Sequence, residues 1–396
     1  MRIVWLAAAD ARGHLMRAHL VRHVLGRRGT RVDIVTTSEE GRAFLAALGT
    51  PAEVLSCHYG VAFDARQNMK RAHTEACVLR YLCTPSRGAA DLTRLAALAR
   101  GAAVVVNDFH PLLLAAGARG AEGGGALPCP VVHVYGENLW RAIEGNFDGR
   151  GPAVVGRGFG ALLRAARDRA YARIEHTFAA PFAGERDAAR ETHRLLPIIA
   201  APRRGAAEVR AALGVPARGR LAAVYLNPHF ADPAVAAALE RALAGAGFHV
   251  HAVGEGFAER PGWRPYDPSF VDVTAAADVL VSAPGMGAVG QARLLGTPFL
   301  ALVTDQPEQR ANLRFLGPRD AVAVELGAGA PARLDERLGA ALEALAAAPP
   351  ALERRSAAVA VATIHDRWAG VLTTLAAGAR ATARAPLTHS THEARP

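Results

Sequence analysis

The 396-residue chain has almost no lysine: Lys70 is the only one, so arginine carries nearly all of a formal net charge of +10. Cysteine is scarce as well. Cys57, Cys77, Cys83 and Cys129 form no CxxC pair, and no histidine stands at zinc-finger spacing, which argues against a disulfide framework or a structural zinc site. No apolar run reaches the ~18 residues that a membrane-spanning helix needs. The opening MRIVWLAAAD begins directly as a strand and is too short an apolar run for a signal peptide. The expectation is a reduced, cytoplasmic chain. No RRM, zinc-finger or helix-turn-helix signature accompanies the positive charge, so no nucleic-acid partner is expected. The excess of arginine, alanine and glycine reads as the imprint of a GC-rich genome. The other reading is a basic surface, suited to peripheral contact with anionic lipid on the inner face of a membrane or to a diphosphate substrate.

What the chain does have is apolar residues, 51% of the total, in a length that exceeds one ordinary domain. Arg2 to Ala8 is apolar without polar alternation, as a parallel strand buried on both faces should be. A helix to about Arg28 follows, with Leu20, Val21, Val24 and Leu25 as its stripe, then a strand at Arg31 to Val35. Ser38 caps a helix over Glu39 to Leu48. Further strands are expected at Glu53 to Leu55, Ala102 to Val106, Val131 to Val134 and Thr177 to Ala180, with mostly helix from Gly60 to Arg100 and a helix from Ala161 to about Ile174. Gly120 to Pro130 and Asn138 to Gly160 read as glycine-rich loops. A second alternation starts after LLPIIAAPRRG (Leu195 to Gly205), with strands at Leu221 to Leu226, Phe248 to Val253, Ala277 to Val281, Phe299 to Val303 and Ala321 to Val324. Helices are expected at about Leu334 to Ala346 and Leu352 to Leu375. The fold class is therefore α/β, with two doubly wound, Rossmann-like halves. The boundaries drawn are 1–200, 201–376 and a disordered tail over 377–396.

One stretch carries most of the chemical information: ADVLVSAPGMGAVGQARLLGTPFLALVTDQPEQRANLRFL, from Ala277 to Leu316. A buried strand ends at Ser282, the turn Ala283-Pro284-Gly285-Met286-Gly287 follows, and a helix begins at about Ala288. A glycine turn between strand and helix lets the backbone approach a ligand and aims the free N–H groups of the helix start at it, which suits a diphosphate. One strand later Glu308 and Gln309 can take hydroxyls. The stretch resembles the donor-binding region of GT-B glycosyltransferases. It is similar to the inverting enzymes that include the bacterial peptidoglycan N-acetylglucosaminyltransferase and the UDP-dependent small-molecule glycosyltransferases of plants and bacteria. The residues that match are Gly296-Thr297-Pro298 and Glu308-Gln309-x-x-Asn312. Pro284 replaces one glycine of that pattern, and Gln291 stands where it has a ribose-holding acid.

The resemblance covers nearly the whole chain except the tail. It implies a first domain on the acceptor side, a second domain that binds a nucleotide sugar, and C-terminal helices that return towards the first. The donor-binding set it implies is Ser282, Gly285, Met286, Gly287, Ala288, Gln291, Glu308, Gln309 and Asn312. His14 follows the first strand and points at the cleft, because ligands of open α/β sheets bind outside the carboxyl ends of the strands. In the resembled enzymes a histidine placed so is often the general base, and an aspartate such as Asp108 pairs with it. Glu137 and Asn138 are acceptor-side candidates, Glu137 also as the reserve base. Trp263, Tyr266 and Phe270 are candidates for stacking on the nucleotide base or for core packing. No DxD motif stands in a suitable place, so no metal and no cofactor are expected. The function implied is inverting transfer of a sugar from a nucleoside diphosphate sugar to a hydroxyl acceptor. The alternatives are a sugar-nucleotide 2-epimerase on the same scaffold and a catalytically silent partner protein, the latter favoured by Pro284 and Gln291.

Overall fold

The computed structural model describes residues 1–56, 60–108, 110, 127–139, 142, 153–327, 333–347 and 357–384. A helix that the sequence predicts after Pro111 to about Ala118, most of the two glycine-rich loops and the last twelve residues of the expected tail lie outside them.

The first half builds β1 (Arg2–Ala7), α1 (Arg12–Gly26), β2 (Arg31–Thr36), α2 (Glu39–Ala47), β3 (Ala52–Val54), α3 (Arg71–Leu82), α4 (Pro85–Leu98), β4 (Val104–Asp108), β5 (Val131–Gly136), α5 (Ala153–Asp168), β6 (Ala172–His176), β7 (Glu185–Asp187) and β8 (Thr192–Leu195). Its eight-stranded sheet has the order β3-β2-β1-β4-β5-β6-β8-β7. All pairs are parallel except β7 with β8. The strand order reverses beside β1, where β2 lies on one side and β4 on the other. Such a switch point opens a crevice at the carboxyl ends of the strands, and His14 and Asp108 both stand there.

The second half builds α6 (Ala206–Ala212), β9 (Arg220–Leu226), α7 (Pro233–Gly245), β10 (Phe248–Gly254), β11 (Trp263–Arg264), α8 (Phe270–Ala276), β12 (Val279–Ser282), α9 (Met286–Leu295), β13 (Phe299–Val303), α10 (Pro307–Leu313), β14 (Ala321–Glu325), α11 (Leu334–Ala347) and α12 (Ala357–Arg384). Its six strands are all parallel in the order β11-β10-β9-β12-β13-β14, with a switch beside β9. Local chemistry fixes the element ends as expected. Ser38 Oγ accepts the Gly41 N–H at 2.9 Å, and Asp232 accepts that of Ala234 at 2.9 Å ahead of Pro233. Each such cap contributes about 1 kcal/mol. Gly296 ends α9 at φ +67°, a left-handed position that a side chain would strain.

Four apolar clusters fill the faces of the two sheets. The largest packs α1 and the segment Leu196–Ile198 against β1 and β4, together with Ile364, Trp368, Leu372 and Leu375 of α12. At about 1.5–3 kcal/mol for each fully buried leucine or isoleucine, this is a principal source of stability for the first half. Trp368 Nε1 donates to the Leu196 carbonyl at 2.8 Å. The last helix thus belongs to the core of the first half, although the chain reaches it through the second.

Several expectations are corrected. Residues 172–176, read partly as the end of a helix, form β6; the helix stops at Asp168, and no strand begins at Thr177. β7 and β8 were not expected. The disordered tail drawn from 377 is helical to Arg384, with Ala376 and Ala379 buried in the first core. The stretch 60–70, expected to be mostly helical, is instead a strap that doubles back on itself, with Phe63 and Met69 paired antiparallel and the Lys70 N–H donating to the Ala62 carbonyl at 2.8 Å, and it reaches the second half.

Candidate active site

The strap makes the two halves touch. The N–H groups of Ala231 and Asp232 donate to the Ala65 carbonyl at 2.8 and 2.9 Å. Arg66 pairs with Asp232 at 2.5 Å, and Phe63 stacks on His229 with ring centroids 4.1 Å apart. Met69 N–H donates to Asp305 Oδ1 at 2.8 Å, Asp305 N–H to Asn68 Oδ1 at 3.1 Å, and Gln306 Nε2 to the Gln67 carbonyl at 3.1 Å. Outside the strap, Arg12 grips Glu255 through two bonds of 3.0 and 2.7 Å, and His229 Nε2 contacts the Asp10 carbonyl at 3.0 Å. Every one of these residues follows the carboxyl end of a strand or lies in the strap, so the two crevices face each other across one cleft.

On the first wall, Asp108 is fully buried at the end of β4. His14, in the first turn of α1, directs Nδ1 at Asp108 Oδ1, 2.7 Å away, and 22% of its side chain remains exposed. Arg17, one turn along the same helix, donates from Nε to Asp108 Oδ2 at 2.8 Å and from Nη2 to Oδ1 at 3.1 Å. Its Nη1 reaches Nε2 of His176, at the end of β6. Burial opposes the charge of Asp108, but Arg17 and His14 more than offset it, and the carboxyl is held well below the usual carboxylate range. An ionised aspartate fixes the histidine proton on Nδ1 and leaves Nε2 as the basic nitrogen. The expected pairing of His14 with Asp108 is therefore present; Arg17 and His176 were not singled out from the sequence.

Asp10, four residues before His14, accepts the Val61 N–H on Oδ1 at 2.9 Å, while its buried Oδ2 has no partner among the described residues. Burial pushes this carboxyl up to about 6 from 3.8, against the Val61 N–H and His14, which lower it. A raised carboxyl favours the folded state only when protonated. That contribution is complete below about pH 4 and is lost as the pH rises through 6. Asp10→Asn is expected to stabilise the protein at pH 7.5 by about 1–2 kcal/mol, the full conversion being reduced because the residue is partly exposed. Urea unfolding at pH 7.5 and pH 4 checks this: the gain should vanish at pH 4, and a variant less stable than wild type at pH 7.5 would contradict it.

On the second wall, Ser282 ends β12, and Gly285 stands at the N-cap of α9, with no side-chain cap. The first N–H groups of α9, from Met286 to Ala288, are left open by helix geometry. A Cβ built on Gly285 or Gly287 meets nothing within 4 Å, so the space outside this turn is free. Gln291 lies half-buried one turn further on. Gln309 is buried and its Oε1 accepts the Thr304 N–H at 2.7 Å. Asn312, also buried, donates to the Pro284 carbonyl at 2.9 Å and accepts from Asn138 Nδ2 at 2.8 Å. These two motif residues brace the loops after β12 and β13, and Asn312 ties the turn to the first wall. Glu308, next to Gln309 in the first turn of α10, is half-buried. Burial, with Asp305 adding and Arg71 opposing, raises its carboxyl above the ordinary value. Glu137 is engaged by Arg314 at 2.9 Å and by the Thr177 hydroxyl. Trp263 is core: it packs on Phe257 and donates to Glu240 at 2.7 Å. Phe270 packs on Tyr225, and Tyr266 meets Phe44 of α2 edge-on at 6.1 Å.

No family profile and no curated protein matches the sequence. Solved structures do match over nearly full length. Arabidopsis thaliana UGT89C1, complexed with UDP, is 15% identical, covers 96% of this chain and 99% of its own, and has a TM-score of 0.57. CalG4, the calicheamicin glycosyltransferase, is 19% identical with 96% and 98% covered and a TM-score of 0.55. The glycotransferase of kitacinnamycin is 18% identical with 96% and 98% covered and a TM-score of 0.53. What these likenesses show is the fold: the chain is a GT-B protein, two Rossmann-like units facing across a cleft.

Proposed function

We propose that the protein is an inverting glycosyltransferase that moves a sugar from a nucleoside diphosphate sugar, with UDP as the first nucleotide to try, to a hydroxyl acceptor. The observation that carries this reading is the pair of half-exposed His14 and buried Asp108 on one wall of the cleft, with the uncapped start of α9 on the other. Two structural neighbours support it by what they bind. UGT89C1 has been solved with quercetin, and the spinosyn rhamnosyltransferase SpnG with thymidine diphosphate.

In the reaction, His14 Nε2 takes the proton of the acceptor hydroxyl. The acceptor oxygen forms its bond to the sugar C1 as the bond from C1 to the diphosphate oxygen breaks on the opposite face. The diphosphate leaves with that electron pair, and its charge falls on the open N–H groups of α9. Charge neutralisation by this helix start is why the reading needs no metal. Asp108 keeps the imidazole in its basic tautomer and stabilises the imidazolium. Glu308 binds sugar hydroxyls, while Gln309 and Asn312 hold the loops that present them. Inversion is checked by the anomeric coupling in the product NMR spectrum; a retained anomer would rule it out.

Glu308→Ala is expected to weaken binding of a UDP-sugar at least ~10-fold, the cost of losing one or two hydrogen bonds to a charged group, while UDP alone binds nearly as before. Isothermal calorimetry with UDP-glucose and UDP separates the two. Equal losses for both ligands would move Glu308 out of the sugar site. The 2-epimerase reading has less support, because on the second wall only Glu308 is an acid in the matched set.

A further inference from the structure

The turn that carries His14 is held from both halves of the molecule. Within its own half, the Ala9 N–H donates to Thr37 Oγ1 at 2.8 Å, Asp10 Oδ1 accepts the Val61 N–H at 2.9 Å, and His14 itself pairs with Asp108. The start of α1 between them is weakly made. Ala11 stands at the N-cap and offers no side-chain acceptor, and the first turn holds no acid. A grip on this start comes from the second half. Arg12 donates from Nε and Nη2 to the two oxygens of Glu255, at 3.0 and 2.7 Å, and His229 Nε2 donates to the Asp10 carbonyl at 3.0 Å. The Arg12 guanidinium lies over the Phe44 ring, 4.7 Å from its centroid, and its side chain is only 10% exposed.

The far end of this grip is rigid. Glu255 opens a short 3₁₀ turn, Glu255–Phe257, directly after β10, and Phe257 is buried with its ring against Trp263, centroids 4.7 Å apart. Gly256 in the middle of that turn packs on the loop after β9: a Cβ there would stand 2.1 Å from the Phe230 carbonyl oxygen, so only glycine fits. His229 is the residue before Phe230. Both groups that hold the β1–α1 turn from across the cleft therefore sit on one packed block of the second half. A guanidinium that meets a carboxylate through two parallel bonds fixes direction as well as distance, and His14 follows Arg12 by two residues.

We propose that Arg12 is a positioning residue for the base: through Glu255 it makes the placing of the His14 turn depend on the second half, so that the base is aimed when the donor wall is seated opposite it. The proposal rests on the glycosyltransferase reading with His14 as base, but the coupling itself is measurable without turnover. The experiment uses the full chain as wild type, Arg12→Met, Glu255→Ala and the double variant. Methionine keeps an apolar stem over Phe44 and removes the fork. Amide hydrogen exchange is followed by mass spectrometry in the peptide from Ala9 to Ala18, and kcat and KM for UDP-glucose are measured beside calorimetry with UDP.

Exchange in that peptide should rise at least ~5-fold in each single variant, the loss of a charge-assisted contact, and no further in the double. Because a misplacement of ~1 Å can cost ~10²-fold, kcat should fall at least ~10-fold in each single variant, with UDP affinity as in wild type and the double no worse than the poorer single. Unchanged exchange in both single variants would overturn the proposal. So would losses that multiply in the double, since the two residues would then act separately. Weaker UDP binding in Glu255→Ala would also overturn it, by placing Glu255 in the donor site. Coupled exchange in a protein that transfers no sugar would instead count against the glycosyltransferase reading and leave the clamp standing.

Discussion

His14→Ala should cut sugar transfer by at least ~10²-fold while leaving nucleotide-sugar affinity nearly intact. A hydroxyl is a poor nucleophile at neutral pH, and a positioned base typically contributes ~10²–10⁴-fold. His14 has what such a base needs. One nitrogen is anchored 2.7 Å from an ionised, fully buried aspartate, and part of the ring is exposed on the cleft side. It lies on the first wall, whereas the groups assigned to the donor lie on the second, so its loss should appear in kcat and not in donor binding. Asp108→Asn should do less damage to turnover, since the amide still accepts the Nδ1 proton, but more to stability, because the Arg17 guanidinium would then be buried without its counter-ion. Single-turnover kinetics with saturating acceptor measure the first effect. Wild-type turnover in His14→Ala would move the base elsewhere, and Glu137, held by Arg314 and Thr177, would be examined next.

Mild acid should unfold the first half of the molecule. His133 in β5 and His110 after β4 are almost wholly buried, and burial pushes both down to about 4 from 6.5. A histidine lowered in the folded state binds its proton more readily in the unfolded chain. Its neutral form therefore contributes stability that is fully present above pH 6.5 and is lost as the pH falls towards 4. Each shift corresponds to roughly 3 kcal/mol, so the pair could withdraw about 6 kcal/mol, much of what holds a domain folded. His176 acts in the same direction. Asp10 acts in the opposite direction, by about 1–2 kcal/mol, and cannot restore the balance. Urea titrations from pH 7.5 to pH 4.5 should show a steep fall in midpoint, flattened in His133→Gln. Constant stability over that range would show that these rings find a way to carry charge inside the fold.

The parts of this architecture that could be read in advance are those where one residue type decides. Val104 to Val106, Val279 to Val281 and Phe299 to Val303 are apolar on both faces, and a parallel sheet is the usual place for such a run. His14 and Asp108 were legible because they directly follow or end such strands. β6 was not: Ala172-Arg173-Ile174-Glu175-His176 continues an arginine- and alanine-rich stretch of high helix propensity, and only the pairing of β6 between β5 and β8 overrides it. Arg17 was passed over because an arginine one turn after a histidine reads as a solvated helix face; its burial depends on Asp108 and His176, 91 and 159 residues away. The strap over 60–70 has no periodicity at all, since its partners lie across the cleft. Of the two readings open for Trp263, base stacking and core packing, its indole takes the second, beside Phe257. The last helix outran its expected end because its buried face beyond 375 is made of alanines, Ala376 and Ala379, which leave no mark in a hydrophobic pattern.

The return of α12 has a mechanical consequence. The polypeptide crosses between the two units twice, once through Leu196 to Gly205 and again between α11 and α12, and both far ends are anchored in packed cores. A single crossing would act as a ball joint, leaving the units free to twist and swing in any direction. Two crossings define a line, and bodies joined along a line turn about it as a door turns on a pair of hinges. Opening of the cleft is therefore expected to be narrower in its directions than a single crossing would allow, with His14 and Gly285 carried on opposite leaves.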